Sequence, residues 1–459
     1  MKQNEALNIM KMGKNVFLTG AAGSGKTHLL NKYIQYLKKH DVNVAVTAST
    51  GIAATHLQGA TIHSWSGIGI KDTITSDDLR ALSAMHRIKS NYKKTKVLII
   101  DEISMLHKHQ LDMIDTIARY LLNSELAFGG MQVILCGDFF QLPPISSDVS
   151  VREKCFAYEA SAWEAADFHI CYLEEQHRQG DDPLLTILND IRNGTAGEHT
   201  KVPLRTRYKK EPEGNTKATK LYSRNINVDA INDGQLAHIS GEEKSYAMSA
   251  HGHRTLIQFL KKSCLAQEEL KLKVGAEVMF IKNDTAGRYV NGTRCVVVGF
   301  DKSEASLPIV KTYDNTTILV RPEEWKYEEE GMVSATITQI PLRLAWAITI
   351  HKSQGMTLDA AEIDLGDAFE PGMGYVALSR VRSLMGLKLM NLNEMALKVH
   401  PKILQHNAVF KEKSELLVSS LKCQTLRDIR VSQREILKKR FGGRVKVKKS
   451  SANTQQADA

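Results

Sequence analysis

Eight residues, Gly20-Ala21-Ala22-Gly23-Ser24-Gly25-Lys26-Thr27, hold three glycines, a lysine and two hydroxyls at a spacing that suits a polyphosphate ligand. The glycines let backbone N–H groups turn toward phosphate oxygens, with Gly23, Ser24 and Gly25 forming the cradle. Lys26 supplies a mobile cation for the β and γ phosphates of ATP, and the Thr27 hydroxyl is a ligand for Mg2+. Farther on, four apolar residues, Val97 to Ile100, carry Asp101 to the end of a buried run. Its carboxylate can hold magnesium through water, and Glu102 follows in position to polarise an attacking water. An isolated Asp-Glu pair is also a common charge pair at a helix start. Its place beyond a phosphate-loop lysine favours hydrolysis over transfer to a small acceptor. Gln141, in Gly137-Asp138-Phe139-Phe140-Gln141-Leu142-Pro143-Pro144, has two readings from the residues alone: a γ-phosphate sensor, or a surface amide in a proline-stiffened turn.

These residues need strands to position them. VFLTG, VNVAVTAS, VLIIDE and MQVILCGD are short apolar runs separated by amphipathic stretches. The pattern predicts a parallel sheet covered on both faces, with ligands at the carboxyl ends of the strands. A polar, basic stretch from Ile68 to Lys96 interrupts it and reads as an insertion. A second α/β set is expected from Tyr172, with CYLEEQHRQ, TKLYSRNINVDAIN, LRLAWAIT and AAEIDLGDA as elements. Between them, LKVGAEVMFIKND to VRPEEWKYEE alternates apolar and polar residues between Gly and Asn-Gly turns, which predicts a small β-barrel.

The bulk composition sets the class. At 459 residues, with 42% hydrophobic and 24% charged residues, the chain is that of a multidomain globular protein. No apolar run reaches the roughly 18 residues of a membrane span, and the first residues lack a signal-peptide core, so an intracellular, cytoplasmic protein is expected. Cys136, Cys155, Cys171, Cys264, Cys295 and Cys423 include no CxxC pair and read as reduced thiols. The His107/His109 and His251/His253 pairs lack carboxylate or Cys partners in the sequence and read as solvated positions. Of the net charge of +10, most lies between Lys411 and Lys449, where 13 Lys and Arg face 4 Asp and Glu. Its amphipathic portion, Ser414 to Phe441, is open to three readings: a docking helix, a duplex-binding arm or a solvated helix.

Two further motif groups address what the energy moves. Thr47 to Gly69 carries Thr, Ser, His and Trp65, types that contact phosphodiester oxygens or stack on unpaired bases. His351, Lys352 and Gln354 precede Gly355, and Arg380 and Arg382 follow in VALSRVR.

The ordered set GAAGSGKT, TGIAA, TIHSW, IIDEISM, FGGMQVILCGDFFQLPP, HRQ, IHKSQGMTL and YVALSRVRS resembles the PIF (petite-integration-frequency) family of superfamily 1 DNA helicases, relatives of the RecD subunit, from about Gln3 to Asn393. The resemblance implies an α/β fold of two RecA-like P-loop domains with a wedge insertion and an SH3-like β insertion. The corresponding bounds are 1–171 for the first domain (wedge 68–96), 172–271 with 340–407 for the second, 272–339 for the insertion and 408–459 for a basic tail. It implies a monomer that hydrolyses ATP with Mg2+ and moves 5′ to 3′ on single-stranded DNA to unwind tailed or forked duplexes, working with replication or recombination proteins. Gln3 falls where the family reads adenine. Lys26, Thr27, Asp101, Glu102 and Gln141 keep the roles argued above, and Gln354 with Gly355 lies against the nucleotide. Arg178 and Arg380 fall where the second domain reaches the γ-phosphate. Thr47, Thr50, His63, Trp65, His351 and Lys352 are expected along the DNA. The long extensions of eukaryotic members have no counterpart, which favours a compact bacterial or viral form. Two rivals of other classes remain at this point, an ATP-driven remodeller that does not separate strands and a small-molecule P-loop kinase.

Overall fold

The structure is a computed structural model that describes residues 1–443 except 58, 70, 145–155, 176–181, 214–217, 224, 265, 283, 285, 286, 290, 291, 304, 305, 314, 330, 331, 352, 355 and 357. Six strands, β1 (Val16–Gly20), β2 (Val44–Ala48), β3 (Ala60–Thr61), β4 (Val97–Asp101), β5 (Gln132–Cys136) and β6 (His169–Leu173), form an all-parallel sheet in the order β3-β2-β4-β5-β1-β6. Every residue of β1, β4 and β5 is buried, because helices cover both faces, and this explains their continuous apolar runs. The loops after β1, β2, β4 and β5 therefore leave from one edge.

Next along the chain come β7 (Thr219–Tyr222), β8 (Lys244–Ala247), β9 (Ser249–Gly252), β10 (Glu269–Leu272), β11 (Glu277–Phe280), β12 (Arg294–Phe300) and β13 (Pro308–Thr312). They are followed by β14 (Thr317–Leu319), β15 (Glu323–Glu329), β16 (Met332–Gln339), β17 (Leu342–Leu344), β18 (Ala347–Thr349), β19 (Ala361–Leu365) and β20 (Leu387–Leu392). A second parallel sheet, β18-β7-β19-β20, is separated from an antiparallel unit built of β14-β13-β12-β11-β17, β15-β16-β9 and β10-β8.

The bounds differ from the sequence expectation in five places. Cys171 to Leu173, expected to open the second set, completes β6 and pairs with β1 as far as Gly20↔Leu173, so the first sheet crosses 171. The antiparallel unit begins near Lys244 rather than at 272: β9 pairs with β16, and Gln339 Nε2 donates to the carbonyls of Tyr246 at 2.8 Å and Gln267 at 3.0 Å. The sequence Ser-Ala-His-Gly has no β-branched residue to signal a strand. Gly252 is needed there, because at φ +113° a Cβ would lie 2.3 Å from the Ser334 carbonyl oxygen. LRLAWAIT is divided, Leu342–Leu344 pairing antiparallel with β11 and Ala347–Thr349 parallel with β7. The 68–96 stretch is more than a surface insertion: helices Ser76–Ala84 and His86–Lys94 bury Leu82, Ile88 and Tyr92 with Ile68 in the main core.

The fifth difference is the tail. Helix Pro401–Lys422 runs unbroken across 407/408 and inserts Phe410 among Phe17, Phe139 and Trp163, with a Phe17–Phe410 ring separation of 5.4 Å. Tyr172 N–H donates to Ser414 Oγ at 3.2 Å. Helix Leu426–Lys439, started by a Thr425/Asp428 capping box, then buries Leu437 with Phe441 against the first sheet's outer helices. Sequence periodicity did not settle this docking, because a helix face shows its partner only once the partner is in place.

Candidate nucleotide site and strand path

β1 delivers Gly20 to the sheet edge, and the turn that follows needs glycine. Gly23 and Gly25 both have φ +82°, in the left-handed region. Helix Lys26–Lys39 starts on Gly25, so its first N–H groups face the loop. Lys26 Nζ donates to the carbonyls of Gly20 at 2.9 Å and Ala21 at 3.1 Å, across the mouth of the loop, and Thr27 is exposed beside it. Gln3 is buried against the same loop, with Nε2 donating to Ser24 O at 3.3 Å.

β4 ends on Asp101, whose Oδ1 accepts the Glu102 N–H at 2.9 Å. Glu102 has φ +53°, unusual for a side-chain-bearing residue, and Ser49 Oγ donates to its carbonyl at 2.7 Å. Burial and the neighbouring Asp101 push its carboxyl up to about 7, while Lys26, Arg380 and the Gln354 amide act in the opposite direction. Gln354 Nε2 donates to Glu102 Oε2 at 3.1 Å, joining the loop after β18 to the loop after β4. Arg380 is buried on helix Met373–Arg380; it donates to the carbonyls of Val376 at 3.0 Å and Met356 at 3.2 Å and to Ser379 Oγ at 2.8 Å.

Three polar side-chain atoms around this cleft, Ser24 Oγ, Gln141 Oε1 and Gln354 Oε1, are buried without a hydrogen-bond partner among the described residues. Buried groups of this kind seldom lack a partner. With the left-handed glycines and the Lys26 ammonium, they fit a polar, phosphate-rich ligand.

Residues to which the sequence motifs assign no role tie these loops together. Asp138 and Arg192 form a buried pair, Nη1 lying 2.7 and 2.6 Å from the two carboxylate oxygens. The Arg192 guanidinium also lies 4.2 Å from the Phe140 ring centroid, and its Nε and Nη2 donate to the Tyr172 hydroxyl. The Tyr375 hydroxyl donates to Asp138 Oδ2 at 3.1 Å and accepts from Arg192 Nη1 at 3.1 Å and from the Ala22 N–H at 3.0 Å. Burial and Asp138 push this phenol up to about 12, so it keeps its proton. Helices Pro183–Asn193 and Met373–Arg380 thus reach the phosphate loop itself through a closed hydrogen-bond network. The only signal in the sequence was an arginine in an otherwise apolar helical face, LLTILNDIR.

The expected strand contacts do not all lie on a surface. Thr47 is fully buried, its Oγ1 donating to Ile99 O at 2.6 Å. Trp65 is buried against Tyr92 with ring centroids 4.7 Å apart, so it supports the core and offers no face for a base. Both types suit DNA chemically, but each is taken up by packing. Thr50 and His351 are half-buried on loops, and His63 is half-buried on the short helix Ile62–Ser66. Burial lowers the pKa of both histidines, with Gln110 acting in the opposite direction at His63, so at pH 7 each offers a neutral ring rather than a cation. Arg178, Lys352 and Gly355 lie outside the described residues. Replacing Thr47 with valine is expected to leave single-stranded DNA affinity within about twofold and to cost about 0.5–1.5 kcal/mol of stability, the net worth of one hydrogen bond. Fluorescence anisotropy and denaturant unfolding check this; a tenfold loss of affinity would return Thr47 to the strand path.

Comparison with known proteins places the chain. Residues 2–199 match the family described as PIF1-like helicase, and residues 256–300 match the DNA helicase Pif1 2B domain. The chain is 45% identical to the ATP-dependent DNA helicase Pif1 of Psychrobacter sp. (strain PRwf-1), over 90% of this chain and 71% of that protein. The crystal structure of Pif1 helicase from Candida albicans matches with TM-score 0.79 and 35% identity, covering 89% of this chain and 98% of that one. Pif1 helicase from Bacteroides in complex with ADP-AlF3 and ssDNA matches with TM-score 0.67 and 30% identity over 89% of this chain and 96% of that one. With the phosphate loop, the Asp101-Glu102 pair and the second-sheet residues gathered around one cleft, and with relatives at these identities, the chain belongs to the PIF1-like helicase family.

Proposed function

We propose that the protein is an ATP-dependent DNA helicase that moves 5′ to 3′ along single-stranded DNA and opens the duplex ahead. The observation that carries this reading is the composite cleft: Lys26 and Glu102 come from the first sheet, Gln354 and Arg380 from the second, and Gln354 already bonds Glu102 across the gap. A site assembled from two halves links bond cleavage to their relative motion. Lys26 neutralises the β and γ phosphates, Glu102 orients water, and Gln141 and Gln354 hold polar contacts at the cleft. Arg380, once swung from its carbonyl partners, stabilises the charge that develops when the cleft shuts, and Arg178 is assigned the same task. Thr27 and Asp101 would hold Mg2+, which when bound supplies further neutralisation of phosphate charge. Gln3 positions the loop beneath the base of the nucleotide. Thr50, His63, His351 and Lys352 line the strand, and the two helices of the 68–96 stretch form the wedge.

One assay tests this reading. Duplexes with 5′ or 3′ single-stranded tails are incubated with ATP and strand separation is followed; unwinding is expected for the 5′-tailed substrate alone. Equal unwinding of both, or ATP turnover without strand separation, overturns the proposal.

A further inference from the structure

Helix Leu426–Lys439 is two-faced. One side is fixed to the first domain: Ile429 and Leu437 are buried, Gln433 Nε2 donates to Asn8 Oδ1 at 3.1 Å, and Arg440 donates to the carbonyls of Gly13 and Gly130. Gly13, His40 (whose carbonyl lies against Gly443) and Gly130 precede β1, β2 and β5 respectively. This helix therefore ends at the sheet edge opposite the phosphate loop, about 17 Å away across five-residue strands.

The other side carries a charge pattern that packing does not require. Arg427, Arg430, Arg434 and Lys438 are exposed, and at 3.6 residues per turn they fall within a sector about 80° wide. None forms an ion pair among the described residues. The helix's two carboxylates lie off this sector and are engaged elsewhere: Asp428 closes the cap on Thr425, and Glu435 sits 3.8 Å from Lys439. The stripe spans about 16 Å, the rise of roughly five phosphates along one strand of a duplex. Among the described side chains of the helix, Val431 beside it is an exposed apolar residue, and the helix has no aromatic residue. Single-strand sites pair cations with stacking rings, whereas a duplex backbone needs cations alone.

We infer that this face is a second nucleic-acid surface that holds the phosphate backbone of duplex DNA, separate from the single-strand path over the cleft. The choice of DNA rests on the helicase reading. The location rests on the helix itself: it is anchored to the domain whose 68–96 helices are assigned as the wedge, so a held duplex stays with that domain while the second half moves. The surface is sequence-independent, because four exposed side chains on a convex helix can meet backbone charges without entering a groove.

The test uses the full chain and the quadruple variant R427Q/R430Q/R434Q/K438Q, in which every altered side chain is exposed. Affinity for a 5′-tailed duplex and for the tail oligonucleotide alone is measured from 50 to 200 mM salt. Four phosphate contacts contribute about 3.6 to the slope of log affinity against log salt, so the duplex slope is expected to fall by about that amount while the oligonucleotide slope stays unchanged. ATPase stimulated by single-stranded DNA is expected to remain within about twofold. A duplex slope lower by less than one, or equal losses on both DNAs, overturns the inference, and the former would leave an acidic protein as the occupant. Should the quadruple variant misfold, R434E alone carries the same comparison, with a duplex-specific loss of affinity expected. Failure of the helicase reading is separable, since the unaltered protein would then show no stimulation by single-stranded DNA.

Discussion

Replacing Lys26 with alanine is expected to lower DNA-stimulated ATP hydrolysis by at least about 100- to 1,000-fold and to abolish unwinding, with thermal stability nearly unchanged. The magnitude follows from removing one preorganised charge aimed at the transferring phosphoryl group. The small stability effect follows from position: Lys26 is only half-buried, and its two partners in the folded chain are carbonyls of a loop that water can reach. Steady-state turnover with saturating single-stranded DNA, measured beside a melting curve, separates the two effects. Residual turnover above about one tenth of the parent rate would show that Lys26 is dispensable for the chemistry.

Replacing Arg192 with alanine is expected to have a different signature, a loss of about 3–5 kcal/mol of stability together with loss of turnover. Asp138 has no exposure, and without Arg192 its carboxylate would be left buried without a counter-charge. The Tyr375 hydroxyl would still reach it but carries no charge. Removing both charges with D138L/R192M should recover most of the stability, because a well-packed apolar pair can replace a buried ion pair. It should not recover turnover, because the Ala22 N–H then loses the ordered hydroxyl that joins the phosphate loop to helix Met373–Arg380. Denaturant unfolding and ATPase assays on the two variants check both statements. A double variant as active as the parent would reduce the network to a structural role.

The two variants show how differently the site could be read from sequence. Lys26 acts through a local motif: eight consecutive residues fix the turn, the helix start and the cation together. Asp138, Arg192 and Tyr375 are separated by 54 and 183 residues and meet only because two sheets pack. Thr47 and Trp65 failed in the opposite direction. Their types suited a strand contact, but a threonine hydroxyl one residue before a strand end and an indole beside Tyr92 are consumed inside the core. Domain bounds followed the same rule. The strand β9 has too weak a local pattern to be seen, and β6 reads as apolar wherever it pairs.

The sequence by itself determined the chemistry of the phosphate loop, the parallel character of the first sheet and the kinship to the helicase family, since each depends on residues close together or on a continuous buried run. Only the tertiary structure decided which polar residues remain at the cleft, that Gln354 joins Glu102 while Arg380 is held back by carbonyls, and that the C-terminal helices dock on the first domain and leave a basic face outward. Hydroxyls, imidazoles and guanidinium groups serve equally well as ligands and as internal hydrogen-bond partners. Which role each takes depends on what lies within about 3 Å, and packing between distant segments sets that distance.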